Sequence, residues 1–150
     1  MERIKISNSR LLLVESLDEG RDWQEKWLQL KDFIEENSSL SLAHSGLYLY
    51  FFSPTSDEHF IEHGLQVGVE ILGFTEEVPE GFQVWDLHET EIEEFSMTSL
   101  PDWDQLFLTE AKARESSVNS LANTWRVKIP LQGTCLKARE IKIQFFKDKS

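Results

Sequence analysis

Apolar and polar positions change period several times along this chain of 150 residues. From Arg3 to Ser16 they alternate loosely and close on Leu11-Leu12-Leu13-Val14, which predicts one strand. Asp18-Glu19-Gly20 breaks the run. Between Asp22 and Asn37 the apolar side chains Trp23, Trp27, Leu30 and Ile34 recur at helical spacing, with Leu28 and Phe33 widening the stripe. Asn37-Ser38-Ser39 ends that helix. Gly46 to Phe52 is aromatic and β-rich, Pro54-Thr55-Ser56-Asp57 is a turn, and Leu65 to Phe74 alternates with Val67, Val69 and Ile71 on one face.

The second half follows the same order. Val78-Pro79-Glu80-Gly81 is a turn, and Phe82 to His88 predicts a strand that the acidic stretch Glu89 to Phe95 continues. A second helix runs from Asp102 to about Ala113, followed by a polar loop from Arg114 to Asn123. Trp125-Arg126-Val127-Lys128-Ile129 alternates as a strand and stops at Pro130, Gly133-Thr134 turns the chain, and Glu140 to Phe146 is the last strand.

The helix starts echo each other. Asp22-Trp23-Gln24-Glu25-Lys26-Trp27-Leu28 returns as Asp102-Trp103-Asp104-Gln105-Leu106-Phe107-Leu108. Asp22 and Asp102 are placed to cap their helices, with Glu25 and Gln105 completing capping boxes. The expected fold is α+β: two pseudo-symmetric β-α-β-β repeats, about 1–76 and 77–150, in one domain. They form an antiparallel sheet with two covering helices and a cleft between the repeats.

Composition narrows the function. Hydrophobic residues make up 40% of the chain, which is normal for a packed domain. No apolar run approaches the roughly 20 residues of a membrane helix. The charged start Met1-Glu2-Arg3-Ile4-Lys5-Ile6 lacks a signal-peptide apolar core, and the single cysteine, Cys135, has no partner for an internal disulfide. A cytoplasmic location without membrane association is therefore expected. Fifteen Lys and Arg against 27 Asp and Glu give a net charge of −12, although the final segment with Lys137, Arg139, Lys142, Lys147 and Lys149 is basic. Such a surface repels nucleic acid and favours a cationic small molecule or a basic protein partner.

This layout resembles the GyrI-like family, whose fold also forms the effector-binding domains of AraC-type and MerR-type bacterial transcription regulators. Val78-Pro79-Glu80-Gly81-Phe82-Gln83-Val84-Trp85 is similar to the family's entry into its second repeat. Trp103 matches a tryptophan early in the second helix, and Glu140-Ile141-Lys142-Ile143-Gln144 is similar to its closing strand. Lys142 and Gln144 stand where that strand has tyrosine and proline. A second register puts Trp125 to Pro130 in the closing role instead, and no carboxylate then aligns. The chain shows no helix-turn-helix segment of its own.

The resemblance implies small-molecule binding between the repeats, often of hydrophobic cations. Rings provide apolar area and cation–π attraction, and a carboxylate supplies the counter-charge. The expected ligand-binding residues are Glu140, Tyr48, Tyr50, Trp85 and Trp125, with Glu70 in the place comparable to Glu140 in the first repeat. Two alternatives belong to other classes: an acidic protein that binds or inhibits a basic partner, and a cleft hydrolase using Glu140. No catalytic residue, cofactor or metal is assigned. His59-Phe60-Ile61-Glu62-His63 has the H-x-x-E-H spacing of a zinc site, but its short connection offers no third ligand, so no zinc is expected. Cys135 has no nearby histidine to activate it and is read as a structural thiol. The scattered glycines form no phosphate-binding loop.

Overall fold

The computed structural model describes residues 2–16, 21–52, 65–99, 102–115, 124–137 and 139–146. The elements are β1 (Glu2–Ile6), β2 (Ser9–Glu15), α1 (Trp23–Glu36), β3 (Leu40–Phe52), β4 (Leu65–Gly73), β5 (Phe82–Leu87), β6 (Thr90–Ser99), α2 (Trp103–Glu115), β7 (Thr124–Ile129), β8 (Leu131–Gln132), β9 (Cys135–Leu136) and β10 (Arg139–Phe146). Eight strands form one antiparallel sheet in the order β1-β6-β10-β7-β3-β4-β2-β5. Each half contributes four strands, and the order reads the same from either end once the halves are exchanged. The expected α+β fold with two pseudo-symmetric repeats is present, and each β-α-β-β unit carries an additional leading strand.

Those leading strands correct two expectations. Residues 3–16 are not one strand but two, broken at Ser7-Asn8, and residues 82–95 are split at His88-Glu89. β1 pairs with β6, whereas β2 pairs with β4 and β5. Each repeat thus sends its first strand across to flank the other repeat. Periodicity along one segment could not reveal this, because it carries no information about which strand pairs with which.

The short links dictate the sheet's shape. β1 and β2 stand six places apart in the strand order, yet only Ser7 and Asn8 join them. Six spacings of a flat sheet would span about 29 Å. Three Cα steps cover at most about 11 Å. The sheet must therefore curl until its edges approach each other. The contacts agree: the backbone N–H of Glu89 donates to Asn8 Oδ1 at 2.5 Å, and Lys5 Nζ lies 3.0 Å from Glu89 Oε1. The result is a curled half-barrel with an outer and an inner face.

The outer face is apolar and carries the helices. Leu12 and Val14, Leu47, Leu49 and Phe51, Val67 and Val69, Val127 and Ile129, and Ile141, Ile143 and Phe145 are buried there with Trp27, Leu30 and Ile34 of α1. The α1 stripe matches its predicted positions, except that Leu28 is exposed. Leu106 and Ala113 of α2 join the same core. Asp22 and Asp102 accept the first helical hydrogen bonds through their carbonyls, from Lys26 and Leu106 at 3.0 and 2.9 Å. Trp23 and Trp103 accordingly open their helices at equivalent positions. The capping box expected at Asp22 does not form, because its carboxylate makes no capping bond and instead accepts from Ser16 Oγ.

A second buried cluster fills the inner face. It joins Leu11, Leu13, Tyr48, Tyr50, Leu87, Ile92 and Phe146, with Ile4, Ile6 and Trp85 packed against them. Both sheet edges contribute, as the curl requires. A bulge in β3 sets the phase here. Between Leu42 and Leu47 the strand advances five residues while β4 advances two, from Ile71 to Val69. The irregularity switches the side-chain alternation, so that Tyr48 and Tyr50 turn inward and Leu47, Leu49 and Phe51 outward.

Candidate ligand-binding site

Successive strands place a polar row across the inner face. In register, Gln66 of β4 stands opposite Tyr50 of β3, Tyr50 opposite Arg126 of β7, Arg126 opposite Gln144 of β10, and Gln144 opposite Glu94 of β6. The side chains connect along this line. Arg126 donates from Nη1 to Tyr50 Oη and from Nε to Gln144 Oε1, both at 2.5 Å. Gln144 Nε2 donates to Glu94 Oε2 at 2.7 Å. One row away, Gly68, Tyr48, Lys128, Lys142 and Ser96 face one another in the same order, and Lys142 Nζ donates to Ser96 Oγ at 2.8 Å.

Aromatic rings enclose the centre of this grid. The Arg126 guanidinium lies 3.9 Å from the Tyr48 ring centroid, 5.1 Å from Phe146 and 5.5 Å from Tyr50. Tyr50 also packs on Trp85 at 5.9 Å and on Phe146 at 6.0 Å. Only 3% of Arg126 and none of Tyr50 is exposed. Burial pushes the Tyr50 hydroxyl up to about 12, against the opposing pull of the Arg126 charge. It is therefore a neutral phenol at physiological pH.

The two ends of the row differ. Gln66 Oε1 is buried and has no hydrogen-bond partner among the described residues. Leaving such a group unpaired costs about 1–3 kcal/mol. At the other end of the row, a depression of about 350 Å³ is lined by Glu2, Glu94, Phe95 and Ser96.

Of the residues picked from sequence, the structure brings Tyr48, Tyr50 and Trp85 together on the inner face. Trp125 lies on the outer face, stacked on Phe51 at 4.1 Å and meeting Phe107 edge-on. Glu140 is exposed at the start of β10, with a left-handed backbone (φ 61°). It sits at the rim, two residues before Lys142. Glu70 is half-buried and close enough to influence Tyr50 electrostatically. The H-x-x-E-H segment lies outside the described residues. Among the described residues no cluster of His, Cys, Asp and Glu has the composition of a metal site. Cys135 is exposed in the small β8–β9 hairpin.

Arg126, Gln144 and Phe146 are inner-face residues that sequence reasoning missed. Their signal was the alternation itself: in Trp125 to Ile129 the apolar residues take one phase and the cations Arg126 and Lys128 the other. Such a pattern ordinarily marks a solvated face. Here the curl encloses it.

No protein-family model matches the chain, and no curated protein matches it by sequence. Solved structures do share its fold. EcmrR in a complex with DNA matches with a TM-score of 0.62 and 12% identity, over 98% of this chain and 57% of that one. This chain thus spans little more than half of that EcmrR chain. The EcmrR C-terminal domain matches with a TM-score of 0.55 and 14% identity, over 99% of this chain and 97% of that domain. SAV2435, bound to tetraphenylphosphonium, matches with a TM-score of 0.53 and 9% identity, over 97% of this chain and 92% of that one. What this chain shares with the EcmrR C-terminal domain and with SAV2435 is the fold. Among the described residues no helix is long and apolar enough to cross a membrane.

Proposed function

We propose that this domain binds a small molecule with an apolar, aromatic body on the inner face of its curled sheet. The observation that carries this reading is the convergence of Tyr48, Tyr50, Trp85 and Phe146 around one buried polar centre. Flat, rigid rings give a ligand large contact area at little cost in side-chain entropy, and the polar row orients it. The tetraphenylphosphonium bound to SAV2435 lends support by analogy of fold. Glu140 is retained as a rim contact, where its charge would meet a polar ligand end extending toward solvent.

Ligand binding stabilises a folded protein by mass action. Thermal-shift screening of aromatic compounds should therefore raise the melting temperature, and Trp85→Phe should abolish the part of the fluorescence change that arises at the site. A panel in which nothing shifts the transition would remove this reading. Unchanged affinity in Glu140→Gln would remove only the rim contact.

A further inference from the structure

The centre of the inner face gathers cations on a chain that is acidic overall. The net charge is −12, yet Arg126, Lys128 and Lys142 occupy adjacent positions at the centre of the sheet. Lys128 and Lys142 are a direct cross-strand pair, and Arg126 precedes Lys128 by two residues on the same face. Like charges directly opposite one another destabilise a sheet. None of the three cations forms an ion pair with a carboxylate among the described residues; their hydrogen bonds go to Tyr50, Gln144 and Ser96. The carboxylates that share this face are displaced from the centre. Glu94 is held by Gln144 and stands two strands from Arg126, Glu2 faces Glu94 from the edge strand β1, Glu15 and Glu70 stand on β2 and β4, and Glu140 lies at the rim.

We propose that Arg126, Lys128 and Lys142 make the inner face a receptor for an organic anion, an aromatic carboxylate or a similar amphiphile, rather than for an organic cation. The inference rests on the small-molecule reading above and assigns the ligand's charge. A guanidinium enclosed by Tyr48, Tyr50 and Phe146 already fills the place that an aromatic cage would offer a cation. A second cation there meets a like charge where little water screens it. An anion instead relieves the Lys128–Lys142 repulsion and takes up the Arg126 donor capacity that Tyr50 and Gln144 leave over, since a guanidinium has five N–H groups. The chain's overall negative charge does not reverse this preference, because exposed charges beyond about 8 Å are screened at physiological salt.

A matched set of probes isolates charge from shape. 2-Naphthoate, 2-naphthamide and 2-naphthamidine share one ring system and carry a negative, neutral and positive head. Titration calorimetry on the full chain should give naphthoate at least tenfold tighter binding than naphthamidine, with naphthamide between them. Arg126→Gln should cost naphthoate at least tenfold and leave naphthamide within about twofold. Lys142→Gln lies nearer solvent and places less demand on folding. It should weaken naphthoate severalfold and keeps the test open if Arg126→Gln does not fold. Binding of naphthamidine as tight as naphthoate overturns the anion assignment and leaves small-molecule binding intact. Binding of naphthamide alone does the same. If none of the three binds, both inferences fall.

Discussion

The two faces of one sheet are built from the same strands and do different work. On β7, Trp125, Val127 and Ile129 pack outward beneath the helices, whereas Arg126 and Lys128 turn inward. On β10, Ile141, Ile143 and Phe145 face outward, and Lys142, Gln144 and Phe146 inward. The outer face is mainly apolar and continuous with α1, with Glu93 buried among its apolar residues and the Arg10–Asp86 pair toward the β5 edge. The inner face mixes rings with hydrogen-bonded polar groups and carries three cations. The first arrangement maximises area removed from water, which is the main source of stability. The second holds polar groups under cover of the curl, where unpaired atoms are costly but recognition is strong. Stability should therefore reside mostly outside and chemistry mostly inside.

The largest effect expected of a single change is on the outer face. Phe145→Ala removes a fully buried ring beneath the helices and should cost about 3–5 kcal/mol in urea unfolding. A loss under about 1 kcal/mol would break the division between the faces.

Next comes a pH effect on the inner face. The Tyr50 hydroxyl titrates at about 12 in the folded chain against an ordinary value of 10.0. Because the folded value is raised, the stabilisation is complete below pH 10 and is lost as pH rises from about 10 to 12, by something of order 2 kcal/mol. Alkaline unfolding curves of wild type and Tyr50→Phe should diverge in that window, with the variant flatter. Parallel curves would show that the buried phenol titrates normally.

Arg126→Met should cost less, about 1 kcal/mol. It removes two hydrogen bonds, but it also relieves the burial of a charge that has no carboxylate in contact. A loss above about 3 kcal/mol would make Arg126 a structural keystone and bring the two faces closer in role.

The smallest effect belongs to the rim. Arg10 Nε donates to Asp86 Oδ1 at 2.7 Å, tying β2 to the edge strand β5, and this bond holds the Asp86 carboxyl below its ordinary range. Its contribution is present above that range and fades as pH falls through the lowered value. Both groups are solvated, so Asp86→Asn should shift the melting temperature slightly at low salt and not at all near about 1 M salt. A salt-independent loss would show that the edge clamp matters beyond its charges.

Much of the fold was legible along the chain. The Trp23, Trp27, Leu30, Ile34 stripe marks α1, the paired Asp-Trp segments mark both helix starts, and alternation locates β4, β7 and β10. The breaks at Ser7-Asn8 and His88-Glu89 were missed, although each lies in a run of four polar residues, because neither carries the glycine or proline that ordinarily marks a turn. The candidate site was legible in part. Tyr48 and Tyr50 share a face by their spacing alone, but that they meet Trp85 depends on β5 lying at the sheet edge beside β2. Trp125 looked equivalent to these rings and lies on the opposite face.

The sequence by itself determined the local elements, their order and their duplication, because period and capping act over a few residues. Only the tertiary structure decided which strands pair, and hence that two-residue links draw the sheet's edges together. That closure has a physical consequence no local pattern contains. It converts a polar strand face, with the look of one bathed in water, into the buried surroundings of Arg126, where each charge and each unpaired atom counts for more.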